Sequence, residues 1–113
     1  MHELSLTQSL IEIAVEHARR EGARAITAVT LEIGALSGVI PEAVEFAFEA
    51  CSKGTLAEGA LLRIEAVDGL GYCRDCDREW PMTNLTDPCP QCGAFALEVR
   101  QGQEMTLIEM EIE

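Results

Sequence analysis

Two pairs of cysteines carry the clearest chemistry in this sequence. Cys73-Arg74-Asp75-Cys76 and Cys89-Pro90-Gln91-Cys92 each set two thiols two residues apart, with twelve residues between the pairs. That spacing lets a tight turn aim both sulfurs at one point, with backbone N–H groups turned towards them. Two such turns, joined by a hairpin, complete a tetrahedron around Zn²⁺ at sulfur distances of about 2.3 Å. Four thiolates close the coordination sphere and leave no position for a catalytic water. Cys73, Cys76, Cys89 and Cys92 therefore read as a structural zinc site. Gly71 and Gly93 supply turn freedom, and Pro88 and Pro90 stiffen the second pair. A redox C-x-x-C opens a helix after a strand, and no helical pattern follows either pair. Iron–sulfur ligation has no supporting spacing signature.

Met1-His2-Glu3 is the second constellation. His2 sets an imidazole beside the α-amine, with its own amide nitrogen between them. Amine, deprotonated amide and imidazole can close adjacent chelate rings around Ni²⁺ or Cu²⁺, which favour nitrogen-rich tetragonal sites. Glu3 could add its amide nitrogen or its carboxylate. On residue chemistry alone, a chance histidine in a frayed terminus is the commoner reading.

The elements that position these groups come from 113 residues, one domain's worth of chain. Asp plus Glu number 20 against 8 Lys plus Arg, a formal net charge of −12. Phosphate-backbone affinity needs clustered Lys and Arg, so nucleic acid is excluded, as is an electrostatic membrane-surface role. Within residues 71–100 the balance repeats, with three arginines against five carboxylates. Zn²⁺ held by four thiolates would add a further formal −2. Hydrophobic residues at 48% argue against disorder, and only five aromatics imply an aliphatic core. MHELSLTQSL has no basic n-region and does not read as a signal peptide. Apolar runs fall well short of the roughly 20 residues of a membrane helix. A reducing cytoplasm is the default compartment, where paired cysteines indicate metal before disulfide.

Ser5 to Gln8 has the form of a capping box and predicts a helix over Ser5–Glu21, with Leu6, Leu10, Ile13, Ala14 and His17 on its apolar face. Residues 25–33 predict an interior strand, because their apolar positions do not obey strict alternation. Pro41 opens a second helix carrying Val44, Phe48 and Cys51, which Gly54 closes. Cys51 reads as a small buried hydrophobe. Residues 61–67 predict a strand with Leu62, Ile64 and Ala66 on one side. In a last strand after Gly102, the half carrying Ile108, Met110 and Ile112 should be buried. The assembly is α+β: a small three-stranded sheet covered by two helices, with an inserted zinc-ribbon module. Residues 1–68 plus 103–113 would form one part and residues 69–102 the ribbon, which at that size needs a staple. No nucleophile–base pair or phosphate loop is present, and residues 34–38 lack the Lys-Ser/Thr of a P-loop, so no enzyme is indicated.

The order of these motifs resembles the HypA/HybF family. The resemblance rests on MHELSL at the start, residues 31–37 (LEIGALS), residues 41–49 (PEAVEFAFE), residues 54–60 (GTLAEGA), residues 108–112 (IEMEI) and the two cysteine pairs. It implies a nickel metallochaperone for hydrogenase maturation, with Ni²⁺ held by Met1, His2 and Glu3 as cargo and Zn²⁺ in the ribbon. It further implies a HypB-type GTPase and the large subunit of [NiFe]-hydrogenase as partners, and admits a homodimer; some members also serve urease. Some members carry an acidic or histidine side chain before the second helix, or histidines beside the zinc cysteines. Here position 40 is isoleucine, Glu42 is the nearest carboxylate in sequence, and the only other histidine is His17. The alternative from another class is a zinc-ribbon docking adaptor with no metal at His2.

Overall fold

The structure, a computed structural model, describes residues 2–95 and 97–113, and of His2 the backbone alone. Its elements run α1 (His2–Arg20), β1 (Ile26–Gly34), α2 (Pro41–Ser52), β2 (Leu61–Val67), β3 (Gly69–Cys73), β4 (Arg78–Met82), β5 (Glu98–Gln101) and β6 (Met105–Ile112). Two three-stranded sheets result, ordered β2-β1-β6 and β4-β3-β5. The first is the expected sheet with its two helices, and the second is the insert. The molecule is elongated, 55 × 26 × 17 Å.

In the first sheet β1 is central, parallel to β2 and antiparallel to β6. Ile26, Val29, Leu31 and Ile33 pack with Ile11, Ala14, Val15 and Ala18 of α1 and Val44 and Phe48 of α2. The other side of β1 is buried too, at Ala28 and Thr30. Arg63 lies opposite Thr30 on β2 and Glu111 opposite Ala28 on β6, so their 2.8 Å ion pair crosses over β1. That pair is exposed and contributes little by charge, but its aliphatic stems cover the strand.

Four expectations fail here. Helix α1 begins at His2, not Ser5, and Ser5 is an exposed helical residue. Glu3 and Leu4 lie with Ala43, Phe46 and Ala47 of α2 around one apolar groove. Packing there extends the helix past its local capping signal. The buried face of α1 is also rotated: Thr7, Ile11, Ala14, Val15 and Ala18 are inside, whereas Ile13 is 58% exposed and His17 lies in solvent. Thr7 buries a hydroxyl with no partner among the described residues, at a cost of roughly 1–3 kcal/mol. On β6, Ile108 and Ile112 are exposed, while Met105, Leu107 and Met110 pack on the core. The pairing passes from Thr30↔Glu109 to Leu31↔Leu107, so Ile108 is the extra residue of a β-bulge. One unpaired residue reverses the alternation on either side of it. On β2, Leu62 and Ile64 face the core as expected, and Ala66 does not.

The two sheets meet at three glycines. Gly34 ends β1, Gly69 opens β3, and Gly102 follows β5 at φ +108°. A Cβ on Gly34 would overlap the Gly102 carbonyl, and one on Gly102 would fall 2.7 Å from the Gly69 Cα. Backbone opposes backbone at both contacts, so neither can yield as a side chain would. Gly34→Ala should lower stability by about 3 kcal/mol, read as the shift in a urea melting curve; an unchanged midpoint would show that the junction can open.

Candidate metal centre

Cys73 is the last residue of β3, and the turn after it brings Cys76 back beside it before β4 begins. Asp77 takes the left-handed φ of +53° that this turn needs, and its carboxylate accepts a hydrogen bond from the Tyr72 hydroxyl. The second turn is closed by the Gly93 N–H donating to the Cys89 carbonyl at 2.9 Å and the Cys89 N–H donating to Ala94 at 2.8 Å. Gly93 sits there at φ +76°. Ahead of it, Asp87 accepts the N–H groups of Thr83 and Asn84, which hold its carboxyl below the usual range.

These turns bring all four expected sulfurs within 4.8 Å of one another. Cys73 and Cys92 stand 3.6 Å apart and Cys76 and Cys89 3.8 Å. A disulfide needs about 2.05 Å, and all five cysteines are free. A tetrahedron with metal–sulfur bonds of about 2.3 Å has edges near 3.8 Å, so the donor set fits a thiolate-bound divalent ion. Cys73 and Cys89 are buried, Cys76 is half-buried, and Cys92 reaches the surface.

The protons on Cys89 and Cys76 are held unequally. Burial works against a thiolate at Cys89, but the N–H groups of Cys92 and Gln91, 3.5 and 3.4 Å from its sulfur, outweigh it and bring the thiol down to about 6. Burial and the neighbouring thiols of Cys92, Cys89 and Cys73 push Cys76 up to about 12. A divalent ion entering the cluster must therefore expel protons, and affinity rises with pH.

All three guanidinium groups of the insert are engaged within it. Arg74 pairs with Glu98 at 2.6 Å, Arg78 stacks over Trp80 at 5.1 Å, and Arg100 stacks over Tyr72 at 4.3 Å. The charge count read from the sequence carried no sign of this engagement.

At the other candidate site, Met1 lies outside the described residues, and His2 is placed only as the first residue of α1. The Glu3 carboxylate accepts a hydrogen bond from the Ile40 N–H at 3.4 Å. Sequence reasoning missed this contact and took Glu42 as the carboxylate of the loop. Cys51 is half-buried against the core, and among the described residues only the four-cysteine group clusters as a metal site. No helix among them is long and apolar enough to cross a membrane.

A family model described as HypA, hydrogenase/urease nickel incorporation metallochaperone, matches residues 1–112. The chain is 55% identical to a hydrogenase maturation factor HypA of Geobacter sp. (strain M21) over the full length of both. Among solved structures it is similar to the nickel metallochaperone HypA from Helicobacter pylori, with a TM-score of 0.71 and 29% identity over 97% of this chain and 96% of that one. A second HypA solution structure gives a TM-score of 0.72 and 31% identity over 100% and 97%.

Proposed function

The chain belongs to the HypA family of hydrogenase/urease nickel-incorporation metallochaperones, and from that premise we propose that it takes up one Ni²⁺ at its N-terminus and passes it on during [NiFe]-hydrogenase maturation. The α-amine of Met1, the His2 imidazole and the intervening amide nitrogen form the chelate, and Glu3 completes it. Zn²⁺ occupies the Cys73, Cys76, Cys89 and Cys92 cluster as a structural ion. A HypB-type GTPase and the hydrogenase large subunit are the partners in transfer, the chain acting alone or as a homodimer in the cytoplasm.

The observation that carries this reading is the start of α1 at His2. The first four N–H groups of a helix have no intrahelical acceptor, so nickel can displace the amide protons of residues 2 and 3 without breaking a helical hydrogen bond. The positive end of the helix dipole repels a bare cation. Amide ligation answers that repulsion, because each proton lost leaves an anionic nitrogen on the metal. Few protein ligands at a chain end also leave the ion open to incoming donors, as transfer by ligand exchange requires. Protons must leave the amine and imidazole too, so nickel should be released on mild acidification.

Isothermal titration of the zinc-loaded protein with Ni²⁺, wild type against His2→Ala, tests the reading. Saturable one-to-one binding should vanish in the variant. Equal binding by both would move the nickel elsewhere, and no saturable binding by either would leave a zinc-ribbon docking adaptor.

A further inference from the structure

The apolar stripe of α1 is wider than the sheet beneath it can cover. Ile13 belongs to that stripe by its spacing, yet it is 58% exposed. With His17 it forms one wall of a cleft whose other wall is Leu107, Ile108, Glu109 and Met110 of β6. No residue of β1 lines that cleft, so it opens on the side of β6 away from β1. Ile108 and Ile112 on the strand itself are exposed as well.

β6 ends its sheet and pairs with β1 alone. Along its other side the backbone N–H and C=O groups have no partner strand, and such an edge is a template for one more. Past the extra residue Ile108, β6 runs without interruption from Glu109 to Ile112. An extended segment laid there would satisfy the edge and, by the alternation of a strand, send every second side chain to the helix side, onto Ile13.

Charge decides what kind of segment fits. β6 contains no Lys or Arg. Glu109 and Glu111 lie opposite Thr30 and Ala28, on the face of the sheet away from the helices. Arg63 holds Glu111, whereas Glu109 has no ion-pair partner among the described residues. A second copy offering its own β6 would set carboxylate against carboxylate, which destabilises a strand pair. The bulge and the acidic positions are the devices by which edges avoid their own kind. Against a strand that carries Lys or Arg, the same carboxylates attract.

We propose that the open edge of β6 is a docking site for an extended basic segment of a partner protein. The segment adds a fourth strand to the sheet, sets its cations beside Glu109 and Glu111, and buries its apolar side chains against Ile13 of α1. It touches none of the groups assigned to either metal, so it stands whether or not nickel binds at His2.

The test titrates full-length zinc-loaded protein with a synthetic peptide of alternating valine and lysine, followed through the protein's amide resonances. Shifts should concentrate in Glu109–Ile112 and around Ile13 and His17. Ile13→Ser, a change at an exposed position, should weaken the peptide about fivefold. The same peptide with glutamate for lysine should not bind. A peptide N-methylated throughout keeps every charge and side chain but loses its backbone donors, and it should not bind either. Undiminished binding of the N-methylated peptide would reduce the contact to charge and overturn the proposal. Binding of the glutamate peptide, or shifts spread evenly over the acidic surface, would do the same. So would a peptide-free dimer in sedimentation that Ile13→Ser dissolves, because a second copy would then occupy the edge.

Discussion

Cys73→Ala should abolish metal binding at the four-cysteine cluster and unfold residues 69–101, while β1, β2, β6 and both helices stay folded. The reason lies in where apolar burial is found. Every buried residue of the hydrophobic core cluster falls outside the insert. Among its described residues, the buried hydrophobic ones are Met82 and two of the cysteines themselves. So small a core cannot offset the chain entropy of three strands, roughly 1–2 kcal/mol per residue for backbone alone. Structural zinc in small modules supplies an apparent 10–16 kcal/mol or so, and losing one ligand of four removes most of it. Metal analysis should fall from one ion per chain to almost none. Hydrogen exchange should show β3, β4 and β5 amides unprotected and β1 amides protected as before. Collapse of β1 protection along with them would mean that the two sheets fold as one unit.

Adding a single residue before Met1 should abolish nickel binding as thoroughly as removing the imidazole. The extension leaves His2, Glu3 and all the packing of α1 in place, but turns the amine into an ordinary amide one residue further out. The chelate loses a terminal donor, so the expected drop is at least the roughly 100-fold that loss of an outer-shell partner can reach. Circular dichroism and zinc content should not change, which separates a missing ligand from a damaged fold. Undiminished affinity in the extended chain would sink the amine ligand and leave His2 to be explained by other donors.

The cysteine cluster was legible in the sequence because its information is local: two residues between thiols determine how a turn can point them. The order of the two helices and of β1, β2 and β6 was legible for the same reason, through period and punctuation. β3, β4 and β5 were not read as strands, because apolar alternation fades there. What escaped were features set by partners distant along the chain. A bulge at Ile108 depends on how β6 meets β1, and nothing within MTLIEMEI marks which residue will be left unpaired. Ser5 looked like a cap because its own neighbours fit a capping box, yet α2 holds the preceding turn in the helix. Glu3 and Ile40 lie 37 residues apart, beyond any short-range rule. The signal for that pair was a helix opening at Pro41 with no capping side chain before it.

The glycine junction has a consequence for chain statistics. Gly34, Gly69 and Gly102 touch at one point, so the chain leaves the first sheet and rejoins it almost where it left. The Gln101 side chain donates to the Asp68 carbonyl across that gap at 2.9 Å. To β2 and β6, everything between Asp68 and Gly102 is a closed loop whose ends the native fold already holds together. Closure entropy grows only logarithmically, about 0.6 kcal/mol for each doubling of length. The metal-bearing segment can therefore lengthen, shorten or be exchanged for another with adjacent ends, and the register of β2, β1 and β6 would scarcely register the change.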